Sequence, residues 1–383
     1  MGRVVSEKWV IDIFDALDSL EQDWLSSHFD IHMFGKWVLS AKAQAYSEKY
    51  DFFTYHWFKE KSNLVSIWKR AHFTLMPSRF LETFGLSALD SLSLGVPVIW
   101  YQQWWLAQFV QDSYDLWQFD DDLSGSSRIL SLFKTLVNNY TDSVYQQNKY
   151  HALSLFEQYT WERWFHHYWL LIKSSTKRIL LVSDYNKDIW WIENWLLIVQ
   201  KKLQQEWYIV EFFGWDQRNV SNKTLTTNLL KTLCNISAGF RLKKTIKDFD
   251  PDLIWWHSIH RVLWWFPLYY SSSSKQRSEW IMYHDFGLFH PFPSQVTTIS
   301  QLTKATNFLW FIKEWIRVSW IYFPLLVLKW VSIFIIKKLL RKKIVLHLVP
   351  SPYMLALVKK NFFIWNNAAL DVLSHFIETF HQK

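Results

Sequence analysis

Short apolar runs alternate with longer amphipathic stretches along this chain, and at Thr176 the alternation starts afresh. In the first half, 30–34, 51–55, 72–76 and 96–100 read as strands, while 10–25, 61–70, 86–94 and 128–138 read as helices. Strands that take turns with helices line up in parallel, and the helices cover the faces of the sheet. The stretch 159–173 reads as a long helix closing this unit. TKRILLVSDYNK, from Thr176, then has the basic lead, apolar run and polar exit of a first strand in an open α/β domain. Helices at 192–205 and 224–234 and strands at 208–213, 252–257, 280–284 and 344–349 continue the pattern, and 271–278 is a polar loop. A domain boundary is expected near 173–177. At 383 residues the chain is long enough for two full cores.

Lys and Arg number 42 against 34 Asp and Glu, a formal net charge of +8. That surplus suits an anionic partner, either a nucleotide diphosphate or an anionic membrane surface. Cys234 is the single cysteine, which excludes a disulfide framework and a Cys-based zinc site and makes the reducing cytosol the default compartment. The N-terminal MGRVVSEKWVIDIF lacks the basic-then-apolar layout of a signal peptide.

One pair of counts is abnormal: 27 Trp and 8 Gly. Average usage would give about 27 Gly in this length, so the two counts look exchanged. The doublets Trp104-Trp105, Trp190-Trp191, Trp255-Trp256 and Trp264-Trp265 fall at strand ends, where small residues belong. Trp57 and Trp207 follow His56 and Glu206 in turn-like settings. The positions fit UGA codons read as glycine in the source and written here as tryptophan; a genuinely Trp-rich chain is the alternative.

The segment AHFTLMPSRFLETFGLSALDSLSLGVPVIW (71–100) carries the chemistry. It reads as a strand, a Pro-Ser turn, a loop ending at Phe84-Gly85, a helix from Leu86 and a second strand. The start of such a helix presents free backbone N–H groups and a positive dipole end, suited to a phosphate. Gly85 lets backbone come close to a ligand. Glu82 and Asp90 flank the junction. Carboxylates would repel a phosphate but can accept hydrogen bonds from sugar and ribose hydroxyls.

This segment resembles the E-x7-E region of the family 4 retaining glycosyltransferases of GT-B fold, through Pro77, Ser78, Glu82, Phe84, Gly85, Asp90, Gly95 and Pro97. By that resemblance Glu82 is a catalytic acid near the transferred sugar. Asp90 holds the nucleotide ribose with a side chain one methylene shorter than the family's usual Glu. Phe84, Gly85 and Leu86 belong to the donor site. GRVVSEKW (2–9) is similar to the family's GR-x-x-x-x-KG, which implies that Arg3 and Lys8 neutralise the donor diphosphate. FGKW (34–37), HWF (56–58) and QQWWLAQFV (102–110) match further family motifs, with Trp37, Trp57, Trp104 and Trp105 on glycine positions. YTWERW (159–164) is similar to the opening of the terminal crossover helix, where Trp161 matches a tryptophan.

The second half resembles the N-terminal acceptor domain of a related enzyme. Trp190-Trp191 stand on glycines and Glu193 on the acid of a GG-(I/V)-E loop; DPDLIWWHSIH (250–260) is similar to the family's PD-hydrophobic-(I/V)-H-x-H strand. IMYHDFGLFHPFPS (281–294) resembles the strand with a histidine near the donor sugar, which places His284 as a catalytic residue and Asp285, with Glu193, on the acceptor side. VLHLVPSPYM (345–354) resembles the strand end before the interdomain linker. The expected fold is therefore α/β: two Rossmann-like domains of GT-B type, each a parallel sheet flanked by helices, in reversed order. Residues 1–175 would be the donor domain and 176–383 an acceptor domain, complete or truncated. That order fits the middle of a longer bifunctional chain, a fragment spanning two units, or a circular permutation.

The resemblance implies a metal-independent transferase that moves a sugar from a UDP- or GDP-linked donor to a glycan or lipid-linked hydroxyl with retention, in cell-envelope polysaccharide or glycolipid synthesis. It needs no cofactor besides the donor and no nucleic-acid partner. A non-catalytic fragment is the alternative reading. Asp120 to Asp122 read as a solvated acidic loop rather than a metal site, and His257, His260, His284 and His290 as strand-end histidines facing a cleft. The apolar stretch 318–328, interrupted by Lys329 and ending in KKLLRKK, is too short to cross a bilayer, which takes about 20 residues. It fits a helix lying peripherally on the membrane's inner face, and equally a core-facing helix with a solvated basic end.

Overall fold

The computed structural model describes residues 10–35, 38–57, 59, 61–76, 84–101, 108–110, 114–116, 123–185, 191–215, 235–260, 263, 265–271, 277–289, 309, 323–362 and 369–377. They group into two compact units, one within 1–165 together with the 375–383 end, the other within 166–374.

In the first unit, α1 (Val10–Gln22) buries Val10, Phe14, Leu17 and Leu20, a spacing that keeps one helical face apolar. That face packs on α5 (Gly125–Asn139), and Phe14 meets Phe53 edge-on at 6.5 Å. Strand β1 (Ile31–Met33) pairs in parallel with β2 (Phe53–Tyr55), joined through α2 (Ser40–Lys49). After α3 (Lys61–Trp68), β3 (Thr74–Met76) pairs in parallel with β4 (Val98–Trp100), and α4 (Leu86–Ser93) lies between them in sequence. Helix α5 starts where the Ser124 side chain accepts the Ser127 N–H, and α6 (Asp142–Phe156) where Thr141 accepts that of Val144. Both are N-caps that occupy an otherwise unpaired helix donor. The end of the chain returns to this unit: His375 meets Phe84 edge-on at 5.0 Å, and Phe376 packs on Trp161 and Trp164 of α7 (Trp161–Leu171).

The second unit is a six-stranded all-parallel sheet. Its strands are β5 (Arg178–Tyr185), β6 (Ile209–Trp215), β7 (Leu253–Trp256), β8 (Ser278–Met282), β9 (Leu346–Val349) and β10 (Ala369–Val372), in spatial order β10-β9-β8-β7-β5-β6. Helices α8 (Trp191–Gln205), α9 (Ile236–Phe249), α10 (Trp265–Tyr270), α11 (Phe323–Lys343) and α12 (Pro352–Phe362) connect them. Ile179, Leu180, Leu181 and Val182 are all fully buried, side chains on both faces of β5 alike. A strand covered on both faces has no use for alternation, so it reads as a continuous apolar run. Each such side chain contributes roughly 1.5–3 kcal/mol on burial, and Leu181→Ala would cost about 2–5 kcal/mol.

The chain is α/β, with a Rossmann-like parallel sheet in its second unit, as the strand–helix alternation anticipates. Helix α9 and strand β10 carry no assignment in the sequence reading, and the helix expected at 224–234 falls outside the described residues. Gly239 interrupts the helical pattern of α9 for a packing reason: a Cβ there would sit 2.5 Å from the Phe266 ring. Trp255 and Trp256 do end a strand, but the core takes both indoles. Trp255 stacks on Tyr168 at 5.5 Å, and Trp256 Nε1 donates to Glu279 at 3.0 Å.

Candidate functional site

In the first unit the chain leaves β3 through residues 77–83, outside the described set, and re-enters at Phe84. Gly85 then takes φ +82° immediately before α4. This left-handed turn is open to glycine and strained for most other residues, and it leaves the first N–H groups of α4 pointing out of the helix start. Helix α4 is tied down from below: Trp68 Nε1 donates to Thr74 Oγ1 at 2.6 Å, Thr74 and Ser91 share a 2.6 Å hydrogen bond, and the Ser91 hydroxyl donates to Val96 O at 2.7 Å. Phe84 is buried against Phe109 and Tyr159, so its ring fixes the residue before Gly85 in the core. Leu86 opens α4 and Asp90 sits half-buried on it. Arg3, Lys8 and Glu82 lie outside the described residues. Near the ends of β1 and β2, His32 Nδ1 and His56 Nε2 are 2.7 Å apart, and the Phe34 ring stacks on His56.

In the second unit, the strand order places β6 on one side of β5 and β7 on the other. Chain leaving β5 turns one way and chain leaving β7 the other, which opens a crevice at the carboxyl ends of the strands. Polar side chains converge there. The Ser183 hydroxyl, at the end of β5, donates to Glu193 Oε1 of α8 at 3.3 Å. Asp184 accepts the Ser258 hydroxyl at 3.2 Å and the Leu263 N–H at 2.8 Å. Just past β7 and β8, His257 Nδ1 lies 2.7 Å from His284 Nε2, and the Trp195 ring packs edge-on against His284 at 5.5 Å. Asp285 accepts the Gly287 N–H at 2.8 Å and lies 3.6 Å from His260 Nε2. A small pocket is lined by His257, Ser258, His260, Tyr283, His284 and Asp285, among others.

Gly287 shapes this pocket: a Cβ there would lie 1.9 Å from His260 Nε2, so only glycine lets the imidazole rest on the backbone. Beneath it, the Tyr283 hydroxyl bonds His347 Nδ1 at 2.7 Å, and burial pushes the His347 pKa down to about 4. A neutral His347 can accept the phenol proton, and burial raises the Tyr283 pKa well above its usual value.

The structure brings Glu193, His284 and Asp285 to one sheet end. It adds His257 and His260, which the sequence reading placed in a cleft without a role, and Asp184, Ser183 and Ser258, which it missed. The signal for Asp184 was the polar exit of the β5 run. Among the described residues no group of three His, Cys, Asp or Glu is placed to hold a metal ion.

Comparison with known families bears on the first unit. Residues 1–121 match the family model "Glycosyl transferases group 1". The group 1 segment thus spans β1 through β4 and includes the Gly85–α4 junction. It supports glycosyl transfer, from a nucleotide-sugar donor to an acceptor, as the general activity. No curated protein matches the chain.

Proposed function

We propose that the first unit is the donor domain of a retaining glycosyltransferase that uses a nucleotide-diphosphate sugar. The observation that carries this reading is the group 1 match across β3, Gly85, α4 and β4. Backbone N–H groups at the start of α4 would take phosphate oxygens. Arg3 and Lys8 would stabilise the leaving diphosphate, the work a metal does in other transferases. Glu82 would orient the sugar and Asp90 the ribose. The second unit is the acceptor-type domain of a neighbouring transferase, with His284 at the reacting sugar and Glu193 and Asp285 on the acceptor side.

The setting is cell-envelope polysaccharide or glycolipid synthesis at the inner face of a membrane. Among the described residues no helix is long and apolar enough to cross one. Helix α11 buries Ile333, Ile336 and Leu340 against its own unit and exposes Val331, Phe334, Lys338, Arg341 and Lys342. That outward mixture of apolar and basic side chains suits an anionic bilayer surface.

The test is titration calorimetry with UDP and GDP on the chain carrying Trp9→Gly, Trp104→Gly and Trp105→Gly. Binding of either nucleotide is expected; binding of neither would remove the donor assignment. A second reading, an inactive fragment, is favoured by tryptophan at 9, 104 and 190–191, positions to which the family resemblance gives glycine. It predicts no nucleotide binding by the chain as printed.

A further inference from the structure

Two helices of this chain end in a backbone motif made for glycine and hold tryptophan there. At the end of α1, the Trp24 N–H bonds Glu21 O at 3.2 Å and the Leu25 N–H bonds Leu20 O at 3.0 Å. At the end of α8, the Trp207 N–H bonds Gln204 O at 3.2 Å and the Tyr208 N–H bonds Leu203 O at 3.1 Å. The end of α4 shows the same pair of bonds, Gly95 to Leu92 at 3.0 Å and Val96 to Ser91 at 3.1 Å. This is the Schellman motif, whose left-handed residue is usually glycine because a Cβ there crowds the next carbonyl. The three residues take φ of +57°, +69° and +74° for Trp24, Trp207 and Gly95. One of the three ends carries glycine and two carry tryptophan.

Trp57, just past β2, is left-handed as well, at φ +53°, and its carbonyl accepts the Gly35 N–H. Among the described residues the non-glycine positions with positive φ are Trp24, Trp57, Trp207 and Asp250. Asp tolerates this region through its short polar side chain; a bulky aromatic residue does not. Nor does burial compensate, since Trp24 is 88% and Trp207 93% exposed. Other tryptophans behave as tryptophans do: Trp161 and Trp164 sit in α7 with their rings stacked at 5.1 Å.

We infer that Trp24, Trp57 and Trp207 are glycines in the protein as its own cell makes it, specified by UGA codons that are read there as glycine. The count of 27 Trp against 8 Gly has the same origin. The codon would then also put glycine at Trp9, Trp37, Trp104 and Trp105, where the family resemblance has glycine. The inference rests on backbone geometry and not on the transferase reading, and each can fail without the other.

The deciding experiment is to sequence the gene and to read the peptides of the natural protein by tandem mass spectrometry. UGA codons and glycine are expected at 24, 57 and 207, with UGG and tryptophan at 161 and 164. UGG codons, or tryptophan in the peptides, at 24, 57 and 207 would overturn the inference. A second measurement concerns the geometry: Trp24→Gly and Trp207→Gly should each raise the folding equilibrium constant about 5-fold in urea unfolding. Loss of stability in both would show that the left-handed assignment is wrong.

Discussion

His257 and His284, on loops leaving the adjacent parallel strands β7 and β8, stack at 5.0 Å with Nδ1 of the first 2.7 Å from Nε2 of the second. A hydrogen bond between two imidazoles requires one bare ring nitrogen, so the tautomers of the two rings are coupled, one ring donating and the other accepting. Replacing His284 removes a hydrogen-bond partner and a wall of the pocket together. His284→Ala is expected to cost about 1–3 kcal/mol of stability, read by urea unfolding. His284→Gln, which keeps a polar group there, should cost less. Equal losses for the two variants would mean that the pair contributes only packing.

The contact between Gly287 and His260 offers a sharper test. A methyl group at 287 would overlap the imidazole, so Gly287→Ala is expected to cost about 1–3 kcal/mol by overpacking. Adding His260→Ala removes the clash, and the double variant should be more stable than Gly287→Ala alone. Additive losses in the double-mutant cycle would show that His260 does not rest on Gly287.

Acid should weaken both units. Burial pushes the pKa of His347 down to about 4 and that of His375 down to about 3, against about 6.5 for an unfolded histidine. The unfolded chain therefore binds protons first. The stability from a neutral His347 is full above pH ~6.5 and is lost as pH falls toward ~4, a loss of roughly 3 kcal/mol. Urea midpoints at a series of pH values check this, and His347→Gln should flatten the acid limb. Lys337 acts at the other end. Burial first, and then Arg341, lower its pKa to about 8, so stability should rise with pH between about 8 and 10.5.

Helix α11 makes a prediction about surfaces. If its outer face meets an anionic bilayer, the chain should sediment with vesicles containing phosphatidylglycerol. Changing Lys338, Arg341 and Lys342 to Ser should weaken binding by about 1 kcal/mol per charge. Sedimentation that is unchanged by these substitutions would assign the face to solvent.

The sequence by itself determined the α/β class of this protein. Apolar runs such as 178–182 are local signals, and their alternation with helices leaves a parallel sheet as the solution. The Gly85 turn into α4 was legible for the same reason, because a strand, the turn after it and the next helix are contiguous in sequence. Even the glycine-like settings of Trp57 and Trp207 could be read from their neighbours. Only the tertiary structure decided which strands lie side by side. Asp184 and Ser258 meet because β7, and not β6, is the inner neighbour of β5, and no local periodicity encodes that order. The same non-local pairing brings His257 to His284, rests His260 on Gly287 and gives Trp255 and Trp256 a core to fill. Local residue pattern sets what each segment becomes; long-range strand pairing, driven by burial on both faces of the sheet, sets which side chains share a site.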